Sequence, residues 1–304
     1  MGIPAAVNLP IDLLRPEWLP GGAPPQRPRK GKARPRAGLS PAPQVVVPAR
    51  PTGGGWRKGL VAEEKTGWVG VGIVAFHGLD MVKRAVTSVL KFAKPKYDIL
   101  VFDNSEDMEV GEWMTSHCST VGYMKSPKNI GCWNARNRIA EHFAAKGIEH
   151  FIIQDQDVEW AGDAVVPMLD VFQHYEDTAV VSWKLALKQM GGGKHKTDKT
   201  GALTPSESPG MCCMYSIRTL AAGDDPGLVG WHHGYGLVYR GDSDYCLSMW
   251  KKGFKTRVVM EGAPLVRHAH PHSTMKRLPW LARERAVSSR VFAERRKKYG
   301  FPRI

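Results

Sequence analysis

Three short apolar segments, each ending in polar or acidic residues, most strongly constrain how this 304-residue chain can fold. They cover residues 68–76, 97–105 and 150–158, and their apolar, β-branched composition is typical of buried strands. The intervening residues 80–93 and 129–147 carry apolar side chains at helical spacing. Strand, helix, strand, helix and strand within about 90 residues predict a doubly wound α/β sheet with mostly parallel strands.

Polar side chains stand at the carboxyl ends of two of these predicted strands. Asp103 and Asn104 end the second strand, and Asp155 and Asp157 end the third. Open α/β sheets bind ligands in the crevice outside the carboxyl ends of their strands. The sequence therefore predicts a ligand site at this edge of the sheet.

The positive charge of the chain is concentrated partly in its two ends. Lys and Arg number 43 against 29 Asp and Glu, a net charge of +14, which indicates an anionic partner. Residues 1–66 are rich in Pro and Gly, include a basic run at 26–36, and show no apolar periodicity, so we predict a disordered basic arm. We expect one folded domain at 67–278, followed by a basic amphipathic helix in 279–304.

Cysteine usage and hydropathy indicate the compartment. The five cysteines are an odd number without metal-ligand spacing, which favours a reducing, cytoplasmic setting. No signal-peptide pattern is present, and no stretch approaches the roughly 18 apolar residues of a spanning helix. We therefore expect any contact with a membrane to be peripheral.

Asp155 and Asp157 are separated by one residue and follow an apolar strand. Two carboxylates at such a position cost free energy unless something binds them. An oxygen-preferring divalent cation such as Mg²⁺ or Mn²⁺ suits the pair; the alternative is a solvated strand end or a helix cap. His268, His270 and His272 would share one face of an extended segment, and one of them could complete the metal shell. The alternatives for the histidines are a polar loop or an all-histidine zinc site.

Asp242 and Asp244 open a segment with helical spacing. Carboxylates there stabilise a helix N-terminus, and they are also candidates for a general base that accepts a proton from a hydroxyl group. Just before them lie candidates for an acceptor-binding platform, namely Trp231, His232, His233 and Tyr235. For Trp231 and Tyr235 the alternative is a place in the core.

Taken in order, these motifs resemble the inverting glycosyltransferases of family two, which have the GT-A fold. The matching segments are AFHGLD after the first strand, VFDNSED after the second, NIGCWNARNRIA before the next helix, the Asp-x-Asp at 155–157, and the Asp242 segment ending at Gly253. The resemblance covers residues 68–275.

The resemblance implies a role for each matching residue. Asp103 would contact the nucleobase, and Asp155 and Asp157 would hold Mn²⁺ or Mg²⁺ together with His268. Asp242 would be the base, with Asp244 as the second candidate. The residues implied around the nucleotide sugar are Phe76, His77, Asp103, Asn104, Asn129, Gly131, Arg136 and Asp155; for Arg136 a structural ion pair is the alternative.

Three positions depart from the family pattern. Gly241 stands where the family often has Glu, which leaves Asp242 as the strongest base candidate. Ser248 stands where Arg is common, and His77 where Asn or a similar residue is common, so contacts to the diphosphate and the nucleotide are in question there.

The implied activity is an inverting, metal-dependent hexosyl transfer from a nucleotide-diphosphate donor to an acceptor hydroxyl. The sequence does not distinguish among four classes of acceptor: modified DNA, a lipid-linked molecule, a glycan and a protein. The alternatives are a nonenzymatic nucleic-acid-binding protein and a degenerate protein that binds nucleotide sugar without turnover. A nucleotidyltransferase is disfavoured, because AFHGLD lacks the Gly-rich loop with Arg and Lys that such enzymes place there.

Overall fold

The structure is a computed structural model that describes residues 67–183, 197–204, 211–222, 230–235, 237, 240–260, 265–268 and 280–301. All of them belong to one compact unit, Ala62–Ile304. The predicted disordered arm lies outside the described residues, as do His270 and His272. The predicted domain boundaries at 66 and 278 stay predictions.

Strands and helices alternate along the first half of the described chain, as predicted. The strands are β1 (Val69–Ala75), β2 (Tyr97–Asp103), β3 (Gly122–Lys125), β4 (His150–Asp155), β5 (Val158–Trp160), β6 (Thr178–Trp183), β7 (Cys212–Ser216), β8 (Lys255–Val259) and β9 (Val266–His268). The helices are α1 (Leu79–Phe92), α2 (Glu109–His117), α3 (Cys132–Ala145), α4 (Val165–His174), α5 (Ile217–Ala221), α6 (Gly241–Lys251) and α7 (Leu281–Lys298).

The described strands form two sheets. The larger has seven strands in the order β3-β2-β1-β4-β7-β6-β8, and β7 runs antiparallel to both of its neighbours while the other pairs are parallel. The smaller pairs β5 with β9 in antiparallel fashion. The predicted doubly wound, mostly parallel α/β sheet is confirmed.

The core consists of two main apolar clusters, to which alternate residues of the central strands contribute. In β1, Ile73 belongs to the cluster that includes α1, whereas Val74 belongs to the cluster that includes α3. In β4, Ile152 and Ile153 divide in the same way. This period of two indicates a sheet covered on both faces, which explains why its strands read as continuous apolar runs.

Two glycines of β1 let α3 lie directly against the sheet. A Cβ atom at Gly70 would lie 2.7 Å from Phe143 Cδ2, and one at Gly72 would lie 2.4 Å from Ile139 Cγ2. Both separations are well inside van der Waals contact. Any larger residue would therefore push α3, and the site residues that it carries, away from the strand ends.

The sequence analysis did not anticipate α2 and β3. The helix is short and buries only Val110, Gly111 and Met114, and β3 is a four-residue edge strand, so neither gives a strong apolar period. The predicted C-terminal helix is present as α7, which packs on α6. None of the described helices combines the length and the apolar character needed to cross a bilayer.

Replacing Gly72 by Ala should destabilise the fold by about 1–3 kcal/mol, because the new methyl group overpacks the contact with Ile139. In an Ile139→Leu background, which removes the clashing Cγ2 atom, the same replacement should cost less. Urea unfolding of the four proteins in this double-mutant cycle measures the coupling. Equal costs in the two backgrounds would show that α3 does not depend on this close approach.

Candidate active site

The small sheet brings His268 to the acidic end of β4. Val158, the residue after Asp157, pairs with His268 in the β5–β9 ladder. As a result, His268 Nε2 donates to Asp157 Oδ2 at 3.0 Å, and the hydrogen bond to this carboxylate raises the pKa of His268. The structure thus brings together Asp155, Asp157 and His268, although His268 lies 113 residues after Asp155 in the chain.

Arg136 joins α3 to the same strand end. Its side chain is 1% exposed, and Nη2 donates to Asp155 Oδ1 at 2.6 Å. The guanidinium also lies over the Trp133 ring, with Cζ 5.3 Å from the ring centroid. Of the two alternatives for this arginine, the structural ion pair is therefore present, and it ends at a carboxylate predicted to bind metal.

The acidic residues at this edge have the chemistry of a cation site. The pKa of Asp155 is raised to about 6, mainly by desolvation; Arg136 opposes the rise, and the charge of Asp157 contributes to it. Asp157 Oδ1 is buried and has no hydrogen-bond partner among the described residues. A divalent cation would relieve both conditions, and the oxygen and imidazole donors suit Mn²⁺ or Mg²⁺. Within the described residues, no three His, Cys, Asp or Glu side chains are arranged so that they could already hold a metal ion.

Gln156, between the two acids, has a role that the sequence analysis missed. Its Oε1 accepts from Phe76 N at 2.6 Å, and its Nε2 donates to the carbonyl oxygens of Phe76 at 3.0 Å and His77 at 2.8 Å. The amide therefore fixes the backbone that follows β1. An amide within the Asp-x-Asp motif was the only signal in the sequence.

Asp103 is fully buried, and three groups donate to its carboxylate. They are the backbone N–H of Ser105 at 2.9 Å, Tyr123 Oη at 2.8 Å and Lys125 Nζ at 3.1 Å. These bonds hold the loop after β2 in place. A direct contact between Asp103 and a nucleobase stays a prediction, and the observed role of the carboxylate is to hold that loop.

Asn104 connects the loop after β2 to the turn before α3. Its Oδ1 accepts from Ile130 N at 2.9 Å, and its Nδ2 donates to Asn129 Oδ1 at 2.8 Å, which also accepts from Gly131 N at 2.9 Å. Gly131 adopts φ 86°, a left-handed value that favours glycine. The predicted residues Asn104, Asn129 and Gly131 thus form one hydrogen-bonded unit.

Phe76 and His77 follow β1 at the same edge. Their rings meet edge to face with centroids 4.4 Å apart, and His77 Nδ1 pairs with Asp107 Oδ2 at 2.7 Å. The His77 side chain is 48% exposed and its backbone has φ 52°. An exposed ring held in an unusual backbone conformation suits contact with a ligand.

The two base candidates at the start of α6 have different surroundings. Asp242 is partly exposed, and its Oδ1 accepts from Ser243 N at 2.8 Å. Asp244 is 2% exposed, accepts from Arg295 Nε of α7 at 2.7 Å, and has a pKa raised by burial. The structure therefore favours Asp242 for contact with an acceptor, and it gives Asp244 a structural ion pair instead.

Two departures from the family pattern have physical explanations. A Cβ atom at Gly241 would lie 2.4 Å from Trp133 Cδ2, so the indole occupies the space that a glutamate there would need. Ser248 is 5% exposed, and its hydroxyl donates within α6 to Tyr245 O at 2.9 Å. Ser248 therefore does not replace the diphosphate contact of the arginine that is common in the family.

Two of the four candidates for an acceptor platform are core residues, whereas His232 is partly exposed and His233 is exposed. Trp231 is 1% exposed and Tyr235 is 3% exposed. Asn137 fixes the first of them, because its Nδ2 donates to Trp231 O at 2.8 Å and its Oδ1 accepts from Trp231 N at 2.7 Å. For Trp231 and Tyr235, the structure therefore supports a place in the core.

Trp133, near the start of α3, links the metal-side and base-side residues. The guanidinium of Arg136, which pairs with Asp155, lies over the Trp133 ring. The same indole packs against Gly241, the residue before Asp242. The carboxyl end of β4 and the first turn of α6 thus border a single site.

The sequence profile of glycosyl transferase family 2 matches residues 71–222, which is half of the chain. The matched region includes the candidates from Phe76 to Asp157 and ends before Asp242 and His268. A search of curated protein sequences found no match.

Three solved structures illustrate the similarity in backbone. A crystal structure of GalNAc-T7 with UDP, GalNAc and Mn²⁺ shares 18% identity at a TM-score of 0.47, covering 63% of this chain and 42% of that one. The mannosyltransferase PcManGT of Pyrobaculum calidifontis, in complex with GDP-Man and Mn²⁺, shares 18% sequence identity at a TM-score of 0.46. The match covers 66% of this chain and 59% of that one. TarS of S. aureus shares 12% sequence identity at a TM-score of 0.49, and the match covers 75% of this chain and 43% of that one.

This chain spans between 42% and 59% of the length of these structures. The family profile, in contrast, extends from β1 through β7 and α5, and so covers the strands and loops that form the acidic edge. On that match, the chain belongs to glycosyl transferase family 2, a family of enzymes that transfer sugars.

Proposed function

We propose that this protein is an inverting, metal-dependent glycosyltransferase that moves a sugar from a nucleotide-diphosphate donor to an acceptor hydroxyl. The observation that carries the proposal is the meeting of Asp155, Asp157 and His268 at one sheet edge, which Arg136 and Trp133 join to the start of α6. Family membership supplies the class of reaction, and this geometry supplies residues for its two demands, leaving-group stabilisation and proton removal.

The donor would lie across the carboxyl ends of β1, β2 and β4. Phe76 and His77 border that edge on a backbone fixed by Gln156, and the unit of Asn104, Asn129 and Gly131 closes it beside α3. The N-terminus of α3 adds a positive dipole end, which favours a diphosphate there.

Asp155 and Asp157, with His268, would hold Mn²⁺ or Mg²⁺ against the diphosphate. When bound, the cation supplies Lewis-acid stabilisation of the leaving nucleoside diphosphate. Arg136 keeps Asp155 oriented, and it also places a positive charge near the diphosphate.

Asp242 would accept the proton of the acceptor hydroxyl. The acceptor oxygen then attacks the anomeric carbon, the bond from that carbon to the diphosphate oxygen breaks, and the nucleoside diphosphate departs. One displacement inverts the configuration at the anomeric carbon. Gly241 and Trp133 set the position of Asp242, because the indole packs directly on the glycine that precedes it.

Incubation with a panel of nucleotide sugars and Mn²⁺, without acceptor, should release nucleoside diphosphate from one donor. EDTA should abolish the release, and Asp157→Asn should lower it roughly 100-fold through lost Lewis-acid stabilisation. Asp170→Asn on α4, whose side chain is 63% exposed, is the matched control and should keep full activity. Donor binding without release would indicate a degenerate enzyme or a strict need for acceptor, and neither binding nor release would contradict the proposal.

Asp242→Asn should lower kcat by about 10²–10⁴-fold while leaving the midpoint of thermal unfolding unchanged, because the residue is partly exposed at a helix end. Asp244→Asn should instead lower the midpoint of thermal unfolding and leave kcat largely unchanged. It leaves the buried Arg295 without its anionic partner and should cost about 3 kcal/mol of stability, yet the folded enzyme should turn over. Loss of turnover in the Asp244 variant alone would assign the base to Asp244.

A further inference from the structure

The last turns of α6 and α7 meet at the surface and form a patch of lysines and aromatic rings. Lys251 Nζ donates to Lys298 O at 3.1 Å, and the rings of Trp250 and Phe301 lie with centroids 5.3 Å apart. We call this surface the basic aromatic patch; its residues are Trp250, Lys251, Lys252, Lys297, Lys298 and Phe301.

The patch is strongly positive because the segments that form it lack acids. Residues 245–260 and 295–304 contain no Asp or Glu. All four lysines of the patch are exposed. Lys251 and Lys252 both donate to backbone carbonyl oxygens, those of Lys298 and Ala222, and such bonds leave the ammonium charge unneutralised. The local field therefore attracts a polyanion or an anionic surface.

Trp250 gives the patch an apolar centre. Its side chain is 45% exposed, and among the large hydrophobic residues that the structure shows exposed it is the one aromatic residue. Lys251 and Lys252 follow Trp250 in the chain, and its ring also borders a cavity lined by Asp198 and Lys255. An exposed indole is costly in water, whereas an indole beside lysines matches the boundary between the headgroups and the acyl chains of a bilayer.

Two features favour a membrane over a nucleic acid as the partner. Lysine ammonium groups act as hydrated point charges suited to diffuse attraction, whereas arginine is the residue that binds nucleic-acid phosphates bidentately. The Phe301 ring packs against Trp250 at an interplanar angle of 52°, so part of the indole surface that a nucleobase would stack on is covered.

We propose that the basic aromatic patch docks this protein on a bilayer surface rich in anionic phospholipids. Trp250 and Phe301 enter the headgroup region, and the four lysines lie at the level of the lipid phosphates. The docking does not depend on the catalytic assignment, because it uses the opposite end of α6 from Asp242.

Co-sedimentation of the full chain with vesicles tests the proposal. The protein should bind vesicles of phosphatidylcholine mixed with phosphatidylglycerol, and it should bind vesicles of phosphatidylcholine alone much more weakly. Lys297→Gln with Lys298→Gln should weaken binding to the anionic vesicles roughly 25-fold, about fivefold for each lysine. Trp250→Ala should weaken it several-fold without any change in net charge.

The matched control is Lys83→Gln with Lys91→Gln on α1, which removes the same charge and keeps the same N-terminal residues 1–66. It should bind as the unaltered protein does. An equal loss in this control would overturn the proposal in favour of general electrostatic attraction. A Trp250→Ala protein that binds normally, or patch variants that lose affinity for a labelled single-stranded oligonucleotide but not for vesicles, would also overturn it.

Discussion

The ion pair between Arg136 and Asp155 is the interaction on which the site depends. A guanidinium with 1% of its side chain exposed needs an anion, and Asp155 at the end of β4 supplies it at 2.6 Å. The pair locks α3 to the strand end, and α3 reaches that position only because Gly70 and Gly72 leave room for it on β1. Substitutions that move α3 would therefore disturb the acidic edge without touching it.

The same helix also sets the base side of the site. Trp133 lies between Arg136 and Gly241, one turn of α3 before the arginine, and its ring fills the space of the glutamate common in the family. In this arrangement, a glutamate at position 241 would clash with the indole of Trp133. The site keeps Asp242 in the first turn of α6.

Local sequence pattern was enough to predict β1, β2 and β4 of the large sheet and the acids at its edge. Strands buried on both faces give continuous apolar runs, and Asp155 and Asp157 follow such a run directly. The pairing of Asp244 with Arg295, the packing of Trp133 on Gly241 and the contacts of Gln156 with Phe76 could not be predicted. Each joins residues 51 or more positions apart, and no periodicity along the chain encodes contacts of that kind.

The central claim is that the acidic edge binds a divalent cation and a nucleoside diphosphate together. Electron paramagnetic resonance of Mn²⁺, titrated into the full chain with and without UDP or GDP, measures this coupling directly. The account predicts that one of the nucleotides tightens Mn²⁺ binding, that Mn²⁺ tightens nucleotide binding by the same factor, and that Asp157→Asn removes both effects. Nucleotide binding that is unchanged by Mn²⁺ and by this substitution would contradict it.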